Sequence, residues 1–101
     1  MGAVLVQMDN GCLLRLDGTV DIASAAEFKT LLLQALAVGR DVAVSLEAAS
    51  YLDVTAVQLL WAADREARSQ GIRVTLSGGC PEIVRRSLAQ AGMADLPLLN
   101  N

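Results

Sequence analysis

A carboxylate, an aliphatic side chain and a hydroxyl follow one another at Asp53-Val54-Thr55, immediately ahead of an amphipathic run. The first free N–H groups of a helix carry partial positive charge and point at whatever such a loop presents. Asp53 can serve there as the helix N-cap or as a functional carboxylate. Thr55 can close a capping box over Thr55-Ala56-Val57-Gln58, or offer its hydroxyl for phosphorylation, which would add about −1.5 to −2 charge beside the helix end. Glu47 is the other carboxylate nearby, and two carboxylates alone make a weak catalytic constellation. The chain has no histidine, which removes the commonest general base at neutral pH and the usual metal ligand. Cys12 and Cys80 lack metal-type spacing and read as reduced, partly buried thiols. Ser77-Gly78-Gly79-Cys80-Pro81 reads as a turn, because no phosphate-binding fingerprint accompanies its glycines. These residues point to a protein that is not an enzyme and needs no cofactor or metal.

Trp61 is the only tryptophan. Wound at about 100° per residue, Ala56, Leu60, Ala63 and Ala67 fall on one face of the helix and Val54, Trp61, Arg65 and Arg68 on another flank. An amphipathic ring beside two arginines has the composition of a binding hot spot. The alternative is a ring wedged between this helix and a neighbour. Arg85 and Arg86, the one adjacent basic pair, read as a solvated helix face.

The elements that must position this loop can be read on either side of it. Asp41 to Leu46 alternates, with Val42, Val44 and Leu46 sharing one face of a strand; Glu47 to Asp53 leaves the strand period, and a helix is expected from Thr55 to Gln70-Gly71. Upstream, Ala3 to Met8 and Cys12 to Asp17 form a hairpin around Asp9-Asn10-Gly11. Gly18 to Asp21 breaks the second strand. Ser24-Ala25-Ala26-Glu27 fits a capping box for a helix that buries Phe28, Leu31, Leu32, Ala35 and Leu36 and ends at Gly39. Downstream, Ile72 to Leu76 reads as a strand. Pro81 suits the first position of a last helix with Ile83, Val84, Leu88 and Ala91 inside and Gly92 closing it. The tail from Met93, with Leu96, Leu98 and Leu99, is expected to fold back on the core.

The predicted order is β-β-α-β-α-β-α, an α/β fold with a four-stranded mixed sheet in a single domain over residues 1–101. Apolar residues on one side of the later strands, with Ala43, Ser45, Arg73 and Thr75 on the other, place helices mainly on one sheet face. The other face is then partly wet and free for a second copy of the chain. Right-handed crossovers bring Gly18 to Ser24, Glu47 to Thr55 and Ser77 to Pro81 to one edge, where ligands of such sheets bind. With 53% hydrophobic but 3% aromatic residues, the core must be aliphatic. A net charge of −3 with scattered basic residues argues against nucleic acid. No run approaches the ~18 apolar residues of a membrane span and no signal segment is evident, so a cytoplasmic protein without membrane insertion is expected.

Leu16-Asp17-Gly18, Asp21 before the first helix, Ser50-Tyr51-Leu52-Asp53 before the second and Gly71 to Leu76 together resemble the STAS domain family. That family includes bacterial anti-sigma factor antagonists and the cytoplasmic tails of sulfate transporters. The resemblance covers nearly the whole chain. It implies a regulatory, partner-switching module whose partner is an anti-sigma factor or GHKL-type kinase. It also implies that the residue directly after the loop aspartate is the phospho-acceptor. Here that residue is Val54, Ala56 replaces the following glycine, and Thr55 is the phosphorylation candidate left beside the helix start. The partner-binding residues implied are Asp53, Val54, Thr55, Gln58, Trp61 and Arg65. Stand-alone relatives of similar size also resemble the STAS subunit of ABC-type phospholipid transport complexes, where the partner would be the transporter ATPase.

Overall fold

The computed structural model describes residues 1–90 and 92. Strand β1 (Gly2–Met8) turns back through Asp9 and Asn10 into β2 (Gly11–Val20), and the two pair antiparallel from Met8 opposite Gly11 to Gly2 opposite Asp17. Helix α1 (Ala25–Ala37) follows a single 3-10 turn at Ile22–Ser24. Strand β3 (Asp41–Leu52) leads into α2 (Val54–Ser69), and β4 (Val74–Leu76) into α3 (Glu82–Gln90). The sheet order is β1-β2-β3-β4, with β2, β3 and β4 parallel. This is the mixed α/β arrangement that the pattern predicts.

The inward residues of the strands, among them Leu14, Leu16, Val20, Val44, Leu46 and Leu52, are fully buried with Phe28, Val57, Leu60 and Leu88 of the helices. The helices among the described residues therefore lie on one face. On the other, Val4, Val6 and Met8 stay about half exposed. Gly11 sits where β2 and β3 start side by side, and a Cβ there would collide with the carbonyl of Asp41, so no other residue fits.

Several local expectations are corrected. Neither long strand stops where its sequence leaves the alternating pattern: β2 continues through Gly18 to Val20, and β3 runs to Leu52 instead of ending at Leu46. Between the pairs Arg15–Ser45 and Thr19–Tyr51, β2 advances four residues and β3 six, so β3 carries two extra residues as bulges. Each bulge shifts the pleat by one, which replaces alternation with buried Leu46, Ala49 and Leu52 at every third position. Ser24 makes no capping bond; the donors that need a partner belong to the 3-10 turn, and Asp21 Oδ1 accepts from Ala23 N at 3.0 Å and Ser24 N at 3.3 Å. Leu31 is only partly buried against the core.

Strand β4 is shorter than expected, starting at Val74, although Ile72 is buried. Pro81 stands one residue before α3, its carbonyl accepting from Val84 and Arg85. Ile83 is 50% exposed and not part of the inner face, which is Val84, Ser87 and Leu88. Ser87 can be buried because its hydroxyl donates to the carbonyl of Ile83 at 3.1 Å. Ala91 and the tail from Met93 to Asn101 lie outside the described residues. No helix among the described residues is long and apolar enough to cross a membrane.

Candidate functional site

The junction between β3 and α2 is fixed from both sides. The Asp53 N–H donates to the carbonyl of Val20 at 3.0 Å, tying the end of β3 to the end of β2. Asp53 Oδ1 accepts from the Ala56 N–H at 3.0 Å, and the Asp53 carbonyl accepts from Val57 at 3.1 Å. Asp53 is thus the N-cap of α2, its carboxylate satisfying one of the free donors at the helix start. The alternative capping box on Thr55 does not form: Thr55 is the second residue of the helix and lies half-buried in its first turn.

With the helix starting at Val54, steps of about 100° bring Val54, Gln58, Trp61 and Arg65 onto one stripe, and all four are exposed. Val54 is 54% and Trp61 43% exposed. The Arg65 guanidinium lies 5.4 Å from the centre of the Trp61 ring, a cation–π contact that holds the ring in place on the surface. Arg68, expected on this flank, turns away to Asp64, with Nε 3.2 Å from the nearly buried Oδ2. An apolar groove of about 440 Å³ between α1 and α2, lined by Leu32, Leu33, Leu36, Leu59 and Ala63 with Lys29 and Glu66 at its rim, belongs to another flank of α2.

Two further large exposed residues, Ile22 and Tyr51, lie at this end of the sheet. Thr19 pairs with Tyr51 and Val20 with Leu52, so Ile22, two residues after Val20, and Val54, two after Leu52, project from adjacent strand ends. Ile22 is 75% and Tyr51 42% exposed. Neither is among the partner-binding residues expected from the sequence, although Tyr51 belongs to the motif ahead of the second helix. The signal for Ile22 was its position off the buried stripe of α1; Tyr51 could be placed only once β3 was known to reach it. Thr19 Oγ1 and Ser50 Oγ lie 3.5 Å apart beside them.

The third loop is held lower on β3. Glu47, the first bulge residue, accepts from the Gly79 N–H at 3.0 Å, so this N–H is engaged within the protein. Cys80 is half-buried, and burial pushes its thiol above the usual value, partly opposed by Arg85 and reinforced by Glu82. Cys12 is buried, and both thiols are free. No group of three His, Cys, Asp or Glu side chains among the described residues is placed to hold a metal.

A mixed sheet with a capped helix start at the end of its third strand, and exposed apolar and aromatic side chains near that end, is what this part of the molecule presents. The STAS domain model matches residues 3–101, and the chain belongs to the STAS domain family. Among solved structures it is similar to an anti-sigma factor antagonist from Mycobacterium paratuberculosis, with 17% identity, coverage of 93% of this chain and 80% of that one, and a TM-score of 0.75. It is also similar to the phosphorylated form of the Bacillus cell fate determinant SpoIIAA, with 19% identity, 94% and 87% coverage and a TM-score of 0.71. The structure of Mglu matches at 20% identity and a TM-score of 0.68 over 80% of this chain, which spans only 20% of the Mglu chain. No match was found among curated proteins. At these identities the structural likenesses establish the fold.

Proposed function

We propose that this protein is a regulatory module that binds a protein partner through the end of β3 and the exposed stripe of α2, in the manner of an anti-sigma factor antagonist. The observation that carries the reading is the exposure of four large side chains, Ile22, Tyr51, Val54 and Trp61, at the ends of β2 and β3 and along α2, near a helix start whose carboxylate is already engaged in capping. Such a surface suits a desolvated contact with a protein, with Trp61 and its bound Arg65 as anchors. The partner fitting this reading is an anti-sigma factor or a GHKL-type kinase.

Val54 occupies the place of the phospho-acceptor and has no hydroxyl. The binding-competent form is then the permanent one, and control lies in the partner or at Thr55. A phosphate on Thr55 would sit close to the polarised helix start but beside Asp53, in a half-buried first turn.

The test is affinity capture from the source cells at native expression level, comparing wild type, Val54→Glu and Trp61→Arg, with mass spectrometry of the recovered proteins and of Thr55. An anti-sigma factor or kinase recovered by wild type alone supports the reading. Val54→Glu is expected to abolish binding by burying an unpaired charge. Undiminished recovery by both folded variants overturns the assignment of this surface, and recovery of a transporter ATPase moves the function to phospholipid transport.

A further inference from the structure

Among the described residues, strand β1 forms one edge of the sheet and is seven residues long, Gly-Ala-Val-Leu-Val-Gln-Met. It carries no charge, no proline and no bulge, the devices by which edge strands ordinarily avoid pairing with another chain. The opposite edge, β4, is protected by being only three residues long. Met8 and Gly11 close a two-residue loop and exchange backbone hydrogen bonds, so β1 bonds to β2 at every second residue counting back from Met8. Ala3, Leu5 and Gln7 therefore turn their N–H and C=O groups outwards.

We infer that β1 is the interface of a homodimer, in which two copies pair antiparallel through this edge to form a continuous eight-stranded sheet. The occupant is named by the strand's own symmetry. A two-fold axis through Leu5 sets Leu5 opposite Leu5, Ala3 opposite Gln7 and Gly2 opposite Met8, so all seven residues find partners and nothing overhangs. The residues brought opposite each other as hydrogen-bonded pairs are the three whose backbone groups already face outwards, giving about six new bonds.

The same register keeps the faces matched. Leu5, packed against the core in each copy, meets Leu5 on the helix side. On the open side Val4, 54% exposed, meets the other copy's Val6, 43% exposed. These are β-branched cross-strand pairs, and no like charges face each other across the axis. A register shifted by one residue would set inward residues opposite outward ones and lose this match. Each open face also contributes Leu13, opposite Val6, and Ala43, opposite Leu13, so a row of apolar residues runs unbroken across the joined sheets.

The experiment is sedimentation of the full chain over a concentration series, with wild type beside two double variants that alter only exposed side chains. Val4→Glu with Val6→Glu sets like charges opposite each other on both sides of the axis and is expected to weaken dimerisation by about tenfold or more. Val4→Glu with Val6→Lys sets opposite charges there and is expected to restore it. Amide exchange should slow with concentration at Ala3, Leu5 and Gln7, while Val4 and Val6, bonded to β2, stay protected throughout. A wild type that is monomeric at every concentration overturns the inference, as does a dimer indifferent to both pairs of substitutions while circular dichroism shows them folded.

Discussion

Asp53 shows how one side chain can be read correctly in kind and still leave the start of its helix open. Aspartate before an amphipathic run has a structural use and a functional one, and the 3.0 Å bond to Ala56 settles that the structural one is in force. Replacing it by alanine should cost about 1 kcal/mol, while Asp53→Asn should keep most of the cap. Urea denaturation of the two variants checks this, and equal loss in both would mean that the negative charge rather than the acceptor matters. Once Asp53 is the cap, Thr55 falls inside the helix, which four residues of sequence could not decide because each candidate cap implies its own first turn. Cys80 makes a second residue-scale statement. Burial raises its thiol above the usual value, with Arg85 pulling it down and Glu82 pushing it up. The folded chain therefore holds this proton more tightly than the unfolded one. The stabilisation is complete below the usual thiol range and is lost as pH rises through the raised value. Alkylation of Cys80 should lag behind a free thiol until strongly alkaline pH, Arg85→Ala should slow it further, and Glu82→Gln should speed it.

At the scale of elements, β3 is where the sequence was legible in part. Val42, Val44 and Leu46 alternate as a strand should, and the helix stripe of Ala56, Leu60, Ala63 and Ala67 is buried as its spacing predicts. Between them the strand disappears from the pattern, because the two bulge positions break a period of two that no local residue preference replaces. The bulges also matter to the site: they carry β3 far enough to place Tyr51 and the start of α2 beside Ile22, and they free Glu47 to hold the loop after β4. Gly78 in that loop has a φ of +80°, and a Cβ there would strike the Glu47 carboxylate. Glu47 is a flexible, exposed side chain that can swing aside only by giving up its bond to the Gly79 N–H, so Gly78→Ala should cost that bond on top of the ~1–2 kcal/mol of an alanine in the left-handed region. In a Glu47→Ala background the collision is gone and only the backbone cost remains. A double-mutant cycle by denaturation measures the difference, and strict additivity would show that Glu47 does not constrain this loop.

For the whole molecule, element order and the one-sided placement of helices were legible because both depend on long-range alternation, which single bulges do not erase. Exposure was less so: sequence cannot say that Ile83 faces out and Ser87 in, since that turn of α3 is set by packing against β3 and α2 rather than by the helix's own pattern. The one-sided architecture has a consequence that adjacent residues can test. Leu14 is fully buried under the helices, whereas Leu13, its neighbour on β2, is half-buried on the open face. Leu14→Ala removes core contacts and should leave a cavity, at a cost of about 3 kcal/mol. Leu13→Ala removes a similar side chain from a surface still reached by water and should cost less than about 1 kcal/mol. Chemical denaturation at low protein concentration compares the two on one scale. If Leu13→Ala proved as costly as Leu14→Ala, the sheet would have to be covered on both faces within a single chain, and the two-layer architecture would give way to one with a third layer.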